Sequence, residues 1–151
     1  MAKLATILLV EDDMHDVELM RLAFEKASIP FALRSVSHGG EAIEYLSGEG
    51  NFADREQFPT PSLILLDLKM PRVDGFDVLR WIQTQPPEKM APVIVLSYSK
   101  LESDRRLAQE LGARGYMVKP VDFDSAVMFV KSLDQINIPP TTAFGSGGAP
   151  L

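Results

Sequence analysis

Leu63-Ile64-Leu65-Leu66-Asp67-Leu68-Lys69-Met70-Pro71-Arg72-Val73-Asp74-Gly75 is the stretch on which the fold turns. Four consecutive aliphatic residues with no polar alternation suit a strand covered on both faces, as in a parallel sheet. The run ends on a carboxylate, Asp67, and Pro71 to Gly75 reads as a turn. Phe76, Val78, Leu79, Trp81 and Ile82 then recur at helical spacing until Pro86-Pro87 ends the pattern. Residues 63–85 thus spell a buried strand, a polar turn and a helix.

The same unit recurs on either side. Ala5-Thr6-Ile7-Leu8-Leu9-Val10 is a buried-strand run that stops at Glu11, and Val17 to Phe24 carry helical spacing. Phe31 to Val36 is a weaker strand, and Gly39-Gly40 precedes a helical stretch from Glu41 to Leu46. Pro92 to Ser97 is another buried strand, followed by a helix over Leu101–Leu111 with Gly112 as its cap. Tyr116 to Val118 is a short strand ending at Lys119-Pro120, and Asp122 to Leu133 is the last helix. Strand then helix, five times over, predicts an α/β domain: a doubly wound, five-stranded parallel sheet with helices on both faces and right-handed crossovers. Residues 47–61, with Gly48, Gly50, Pro59 and Pro61, read as a long loop. Pro139 to Leu151 carries three Pro, three Gly and no charge, and reads as a tail or arm.

The chain has 151 residues and a net charge of −6. Most of that excess lies in the first 20 residues, where Lys3 faces Glu11, Asp12, Asp13, Asp16 and Glu18. An acidic chain does not attract a phosphate backbone, which argues against DNA binding. With no cysteine there is no disulfide, thiolate metal site or cysteine nucleophile. No apolar run approaches the roughly 20 residues needed to cross a bilayer. The first residues do not have the form of a secretory leader, so the expected compartment is the cytoplasm.

The strand ends carry the chemistry. In an open parallel sheet, sites form at the carboxyl ends of the strands, so Asp12, Asp67, Ser97 and Lys119 are expected to converge. Crowded carboxylates repel one another, and a hard divalent cation such as Mg²⁺ relieves that repulsion through oxygen ligands. A carboxylate beside a metal and a lysine ammonium is a nucleophile suited to phosphorus, giving an aspartyl-phosphate. The cation, Lys119 and the Ser97 hydroxyl would neutralise the phosphoryl oxygens. Taken singly, each residue has a plainer role. Asp12 or Asp13 fits a helix N-cap, Tyr116 a half-buried strand aromatic, and His15 a solvated first-turn residue. Four such residues, each following a different strand in the expected order, point jointly to one site.

Together these segments resemble the receiver domain of two-component response regulators. Ile7 to Asp13 resembles the family's first strand and acidic pair, Leu63 to Gly75 its phosphoacceptor segment, Pro92 to Ser97 the strand ending in Ser or Thr, and Leu111 to Pro120 the segment ending in Lys-Pro. The resemblance covers about residues 4–134. It implies the flavodoxin-like receiver fold with sheet order 2-1-3-4-5. It implies Asp67 as phosphoacceptor, Glu11, Asp12, Asp67 and the Lys69 backbone carbonyl as Mg²⁺ ligands (Glu11 through water), and Ser97 and Lys119 as phosphoryl-stabilising groups. Ser97 and Tyr116 would form the switch, and the Lys119-Pro120 bond would be cis. The acidic pair can also be framed as Asp12-Asp13, which leaves Asp13 open; Val10 ending the apolar run favours Glu11-Asp12.

Two departures narrow the resemblance. Residues 47–61 exceed the loop of a minimal receiver, and after Asp134 there is too little chain for an output domain. Residues 1–134 are expected to be the receiver and 135–151 a C-terminal arm or flexible tail. Stand-alone receivers that partner phytochrome-like sensor kinases share these features. The implied function is a stand-alone regulator that takes a phosphoryl group from a histidine kinase and acts through protein contacts, or passes the group on as a phosphorelay intermediate. It would promote its own phosphorylation and dephosphorylation without turning over a separate substrate. The resemblance also implies a homodimer through the last strand, last helix and arm, with Phe129, Ile136, Ile138 and Phe144 as apolar contacts. A phosphohydrolase of similar chemistry would want a second Asp where Lys69 stands, and a nucleotide-type cofactor binder would not place Glu11-Asp12-Asp13 against a phosphate.

Overall fold

The structure is a computed structural model that describes residues 4–120 and 122–135. Five strands, β1 (Ala5–Val10), β2 (Phe31–Val36), β3 (Leu63–Leu66), β4 (Val93–Ser97) and β5 (Gly115–Val118), alternate with five helices. These are α1 (Met14–Ala27), α2 (Gly39–Ser47), α3 (Gly75–Gln83), α4 (Glu102–Glu110) and α5 (Phe123–Leu133). The strands form one parallel sheet in the order β2-β1-β3-β4-β5, as expected.

The two-residue period of a strand divides the core. Leu8, Val10, Ile64, Leu66, Val93 and Val95 point to one face, against Ala42, Tyr45 and Leu46 of α2, Val78 and Leu79 of α3 and Ala108 of α4. Ile7, Leu9, Leu63, Leu65, Ile94 and Leu96 point to the other, against Met20, Ala23 and Phe24 of α1 and Ala126, Val130 and Leu133 of α5. That is why β1, β3 and β4 read as continuous apolar runs. The outer strands β2 and β5 are partly exposed; β2 reads as the weaker strand and β5 as a short one.

Three local differences from the sequence reading stand out. Helix α2 starts at Gly39, two residues early, because His38 Nδ1 accepts the Glu41 N–H at 3.1 Å and caps it. The long loop is not loose. Phe52 is buried, and Tyr45, Phe52 and Phe58 pack tilted or edge-to-face with centroids 5.1–6.1 Å apart. The Tyr45 hydroxyl donates to Pro59 O at 2.8 Å, and Arg55 donates to Phe58 O and Leu46 O at 3.1 Å each. No described peptide bond is cis, so the expected cis Lys119-Pro120 is corrected to trans. Trans is the ordinary preference of X-Pro bonds, and the Lys119 side chain reaches the strand-end carboxylates with the bond in that form. Ile136, Ile138, Phe144 and the rest of the arm lie outside the described residues.

Candidate functional site

Register brings the strand ends together. Val10 pairs with Leu66, Leu66 with Val95 and Ser97 with Val118. The backbone ladder runs one residue further at three places: Glu11 N–H donates to Val36 O, Asp67 N–H to Val10 O and Lys119 N–H to Ser97 O. Glu11, Asp67, Ser97 and Lys119 therefore share one edge of the sheet. All four are buried, although each is polar or charged.

The Lys119 ammonium stands 2.6 Å from Glu11 Oε1, 3.0 Å from Asp16 Oδ2 and 3.4 Å from Asp67 Oδ2. Carboxylate oxygens of Glu11, Asp12 and Asp67 lie within 4.8 Å of one another, with Asp12 on the exposed side. Burial pushes the Glu11 carboxyl up to about 7; the hydrogen bond from Lys119 opposes this and the Asp67 charge adds to it. Asp67 is also raised, by burial first, with Lys119 lowering it and Asp12 raising it. Burial works against the Lys119 ammonium, yet Glu11, Asp67 and Asp16 outweigh it and raise its pKa. One lysine thus offsets only part of the repulsion among these carboxylates.

The neighbouring residues have separate tasks. Asp13 caps α1: its side chain accepts the N–H groups of His15 and Asp16 at 2.8 and 3.3 Å, which hold its carboxyl below the usual range. The plain N-cap reading holds for Asp13, and the carboxylates that gather are those of Glu11, Asp12 and Asp67. His15 is a solvated first-turn residue. Lys69 donates its backbone N–H to Asp67 Oδ1 at 3.4 Å, while its exposed ammonium pairs with Asp104 at 3.3 Å. The Ser97 hydroxyl oxygen accepts the Ser99 N–H at 3.1 Å. Tyr116 is half-buried; its hydroxyl donates to Ser99 O at 2.9 Å, and the Arg105 guanidinium lies 4.8 Å from its ring centre.

Sequence reasoning missed Asp16 and Tyr98. Asp16 figured there only as one of the early acids, yet it binds Lys119 from 103 positions away and accepts from the Tyr98 hydroxyl at 2.9 Å. Its place in the first turn of α1, one turn past Glu11-Asp12, was the available signal. It also missed Asp104, which takes both the Ser99 hydroxyl and the Lys69 ammonium.

A buried lysine facing carboxylates at the ends of β1 and β3, with a serine closing β4, now stands beside a family match over residues 7–131, the response regulator receiver domain. The chain belongs to this family. Response regulator Rcp1 of Synechocystis is 34% identical over 128 residues, covering 85% of each chain. Among solved structures, the response regulator RPA3017 in red light signaling of R. palustris is 35% identical with a TM-score of 0.83, over 91% of this chain and 100% of that one. The phosphorylated cyanobacterial phytochrome response regulator RcpA is 35% identical with a TM-score of 0.77, over 87% and 91%. The Mn²⁺-bound form of Rcp1 is 31% identical with a TM-score of 0.76, over 94% and 99%. The sheet order and helix placement of this receiver match the fold of those regulators, of which RcpA is a phytochrome response regulator and RPA3017 acts in red light signaling.

Proposed function

We propose that this receiver accepts a phosphoryl group onto Asp67 from the phosphohistidine of a sensor histidine kinase, in a Mg²⁺-dependent step. The observation that carries the reading is the Lys119 ammonium 3.4 Å from Asp67 Oδ2, inside a carboxylate triad that one lysine does not neutralise. The donor set fits a hard divalent cation: three carboxylates, with Glu11 and Asp67 both raised by burial. Glu11, Asp12, Asp67 and the Lys69 backbone carbonyl would hold it. When bound, the ion supplies charge neutralisation at the phosphoryl oxygens.

An Asp67 oxygen forms the new P–O bond while the P–N bond of the donor breaks and the imidazole leaves. Lys119 neutralises the incoming oxygens, and the Ser97 hydroxyl turns to donate to them. The Ser97–Ser99–Tyr116 path then carries the change toward α4 and β5. The output is protein binding or onward phosphotransfer, with turnover confined to the regulator's own phosphoryl group. Similarity to RcpA and to a red-light regulator supports a phytochrome-type kinase as donor. Residues 1–134 would be the receiver and 135–151 a C-terminal arm or flexible tail. Exposed Met117, Val118 and Met128 support pairing of two copies through the last strand and helix. The proposed compartment is the cytoplasm; no helix of the described residues is long and apolar enough to cross a membrane.

The test is intact mass after incubation with acetyl phosphate and Mg²⁺. One phosphoryl adduct in the wild type, absent in Asp67→Asn, is expected. No adduct with acetyl phosphate or with a phosphorylated kinase would make the chain a phosphorylation-independent interaction module.

A further inference from the structure

Three carboxylates surround the Lys119 ammonium, and they are not equivalent. Glu11 and Asp67 belong to the triad with Asp12, whose oxygens gather as a cation site; Asp16 does not. It comes from the first turn of α1, is half-buried, and spends its second oxygen on the Tyr98 hydroxyl at 2.9 Å. Tyr98 directly follows Ser97, and its ring centre lies 4.7 Å from the same ammonium. Asp16 and Tyr98 are thus a bracket on Lys119 made from residues outside the triad: a charge-assisted hydrogen bond and an aromatic face.

The bracket matters once the triad is loaded. A divalent cation commits the charge of Glu11 and Asp67 to itself and repels a neighbouring ammonium. The ammonium then loses its hold on two of its three carboxylates, and the pull to swing out toward water rises. Asp16 is the carboxylate on Lys119 that the cation does not claim.

We propose that Asp16 is a positioning residue for Lys119: it keeps the ammonium within reach of Asp67 when a divalent cation occupies the triad, and the Tyr98 hydroxyl holds the Asp16 carboxylate in place. This role rests on the reading of Asp67 as phosphoacceptor. Asp16 acts through Lys119 and does not touch the reacting atoms.

Adduct formation from acetyl phosphate at saturating Mg²⁺ is followed for wild type, Asp16→Asn and Asp16→Glu. Asp16→Asn keeps an acceptor for Tyr98 but removes the charge, and is expected to slow the reaction about tenfold, the worth of one charge-assisted hydrogen bond. Asp16→Glu is expected to restore most of the rate. The second readout is independent of reaction rate: the Lys119 Nζ resonance in lysine-¹⁵N-labelled protein with Mg²⁺ bound. It is expected to persist in the wild type and to vanish through fast exchange in Asp16→Asn, with the melting temperature little changed. In a Lys119→Ala background, Asp16→Asn is expected to add no further slowing; where that background reacts too slowly to follow, the resonance decides. A wild type that forms no adduct overturns the phosphoacceptor reading itself. A wild type that forms it, with Asp16→Asn equally fast and its ammonium resonance intact, overturns the role of Asp16 alone.

Discussion

The backbone of Gly75 lies so close to Asp67 that a Cβ at position 75 would overlap the Asp67 carbonyl oxygen and stand 2.7 Å from Leu68 Cα. The Gly75 N–H also donates to Leu68 O at 3.0 Å. Helix α3 therefore begins directly against the segment that carries the candidate phosphoacceptor. The obstructing atoms are backbone, so they have no rotamer in which to retreat. Gly75→Ala is expected to cost about 1–3 kcal/mol in urea unfolding and to slow adduct formation by shifting Asp67. A variant with wild-type stability and rate would show that the segment yields freely.

Arg72 lies in the turn before α3, three residues ahead of its first residue Gly75, and has φ +65°, a left-handed conformation that a side chain disfavours. Arg72→Gly removes that cost but adds backbone freedom to the unfolded chain. The balance is an expected gain of about 0.5–1 kcal/mol in chemical denaturation. A loss of stability would mean that the arginine side chain contributes contacts that outweigh the strain.

The start of α4 is fastened unusually. Leu101 occupies the N-cap and offers no side-chain cap. Instead Asp104 accepts the Ser99 hydroxyl at 2.6 Å and the Lys69 ammonium at 3.3 Å. The serine bond is partly shielded, while the lysine side chain is 63% exposed. Ser99→Ala is therefore expected to cost about 1 kcal/mol, and Lys69→Ala less than about 0.5 kcal/mol. Hydrogen exchange of residues 102–110 should rise in the first variant and change little in the second. The reverse order would assign the fastening to the ion pair.

Most of the fold was legible because β1, β3 and β4 are covered on both faces and so show unbroken apolar runs. The site was legible where each residue directly follows a strand, as Glu11, Asp67 and Lys119 do. Asp16 and Tyr98 escaped because their meeting depends on α1 folding back over the end of β4, which no local pattern encodes. The 47–61 segment was read as a loop from its Gly and Pro content; the Tyr45–Phe52–Phe58 cluster that pins it needs three rings from separate turns. The trans bond at Pro120 shows the limit of a family motif, which carries residue identity but not the isomer.

The raised carboxyls predict how stability depends on pH and on the cation. In the unfolded chain Glu11 ionises near 4.5, whereas in the folded chain it keeps its proton up to about 7. Between those values the folded state binds more protons, so metal-free stability falls as pH rises, at up to about 1.4 kcal/mol per pH unit for one group. Asp67 is raised too and acts in the same direction. Asp13, Glu18, Asp104 and Asp122 are lowered. Their stabilisation is present above the ordinary carboxylate pKa and is lost only as pH falls further, so it does not mask the effect. Lys119 is raised, and its contribution is lost only on strongly alkaline titration. In melting experiments without metal, the midpoint is expected to fall from about pH 5 to about pH 7. On the proposed reading Mg²⁺ would bind the ionised triad, so the rise in midpoint that it produces should be small at the acid end, grow through the same window, and disappear on adding EDTA. A flat metal-free profile, or a Mg²⁺ effect that does not change with pH, would show that Glu11 is ionised throughout and that Lys119 already balances the site without a cation.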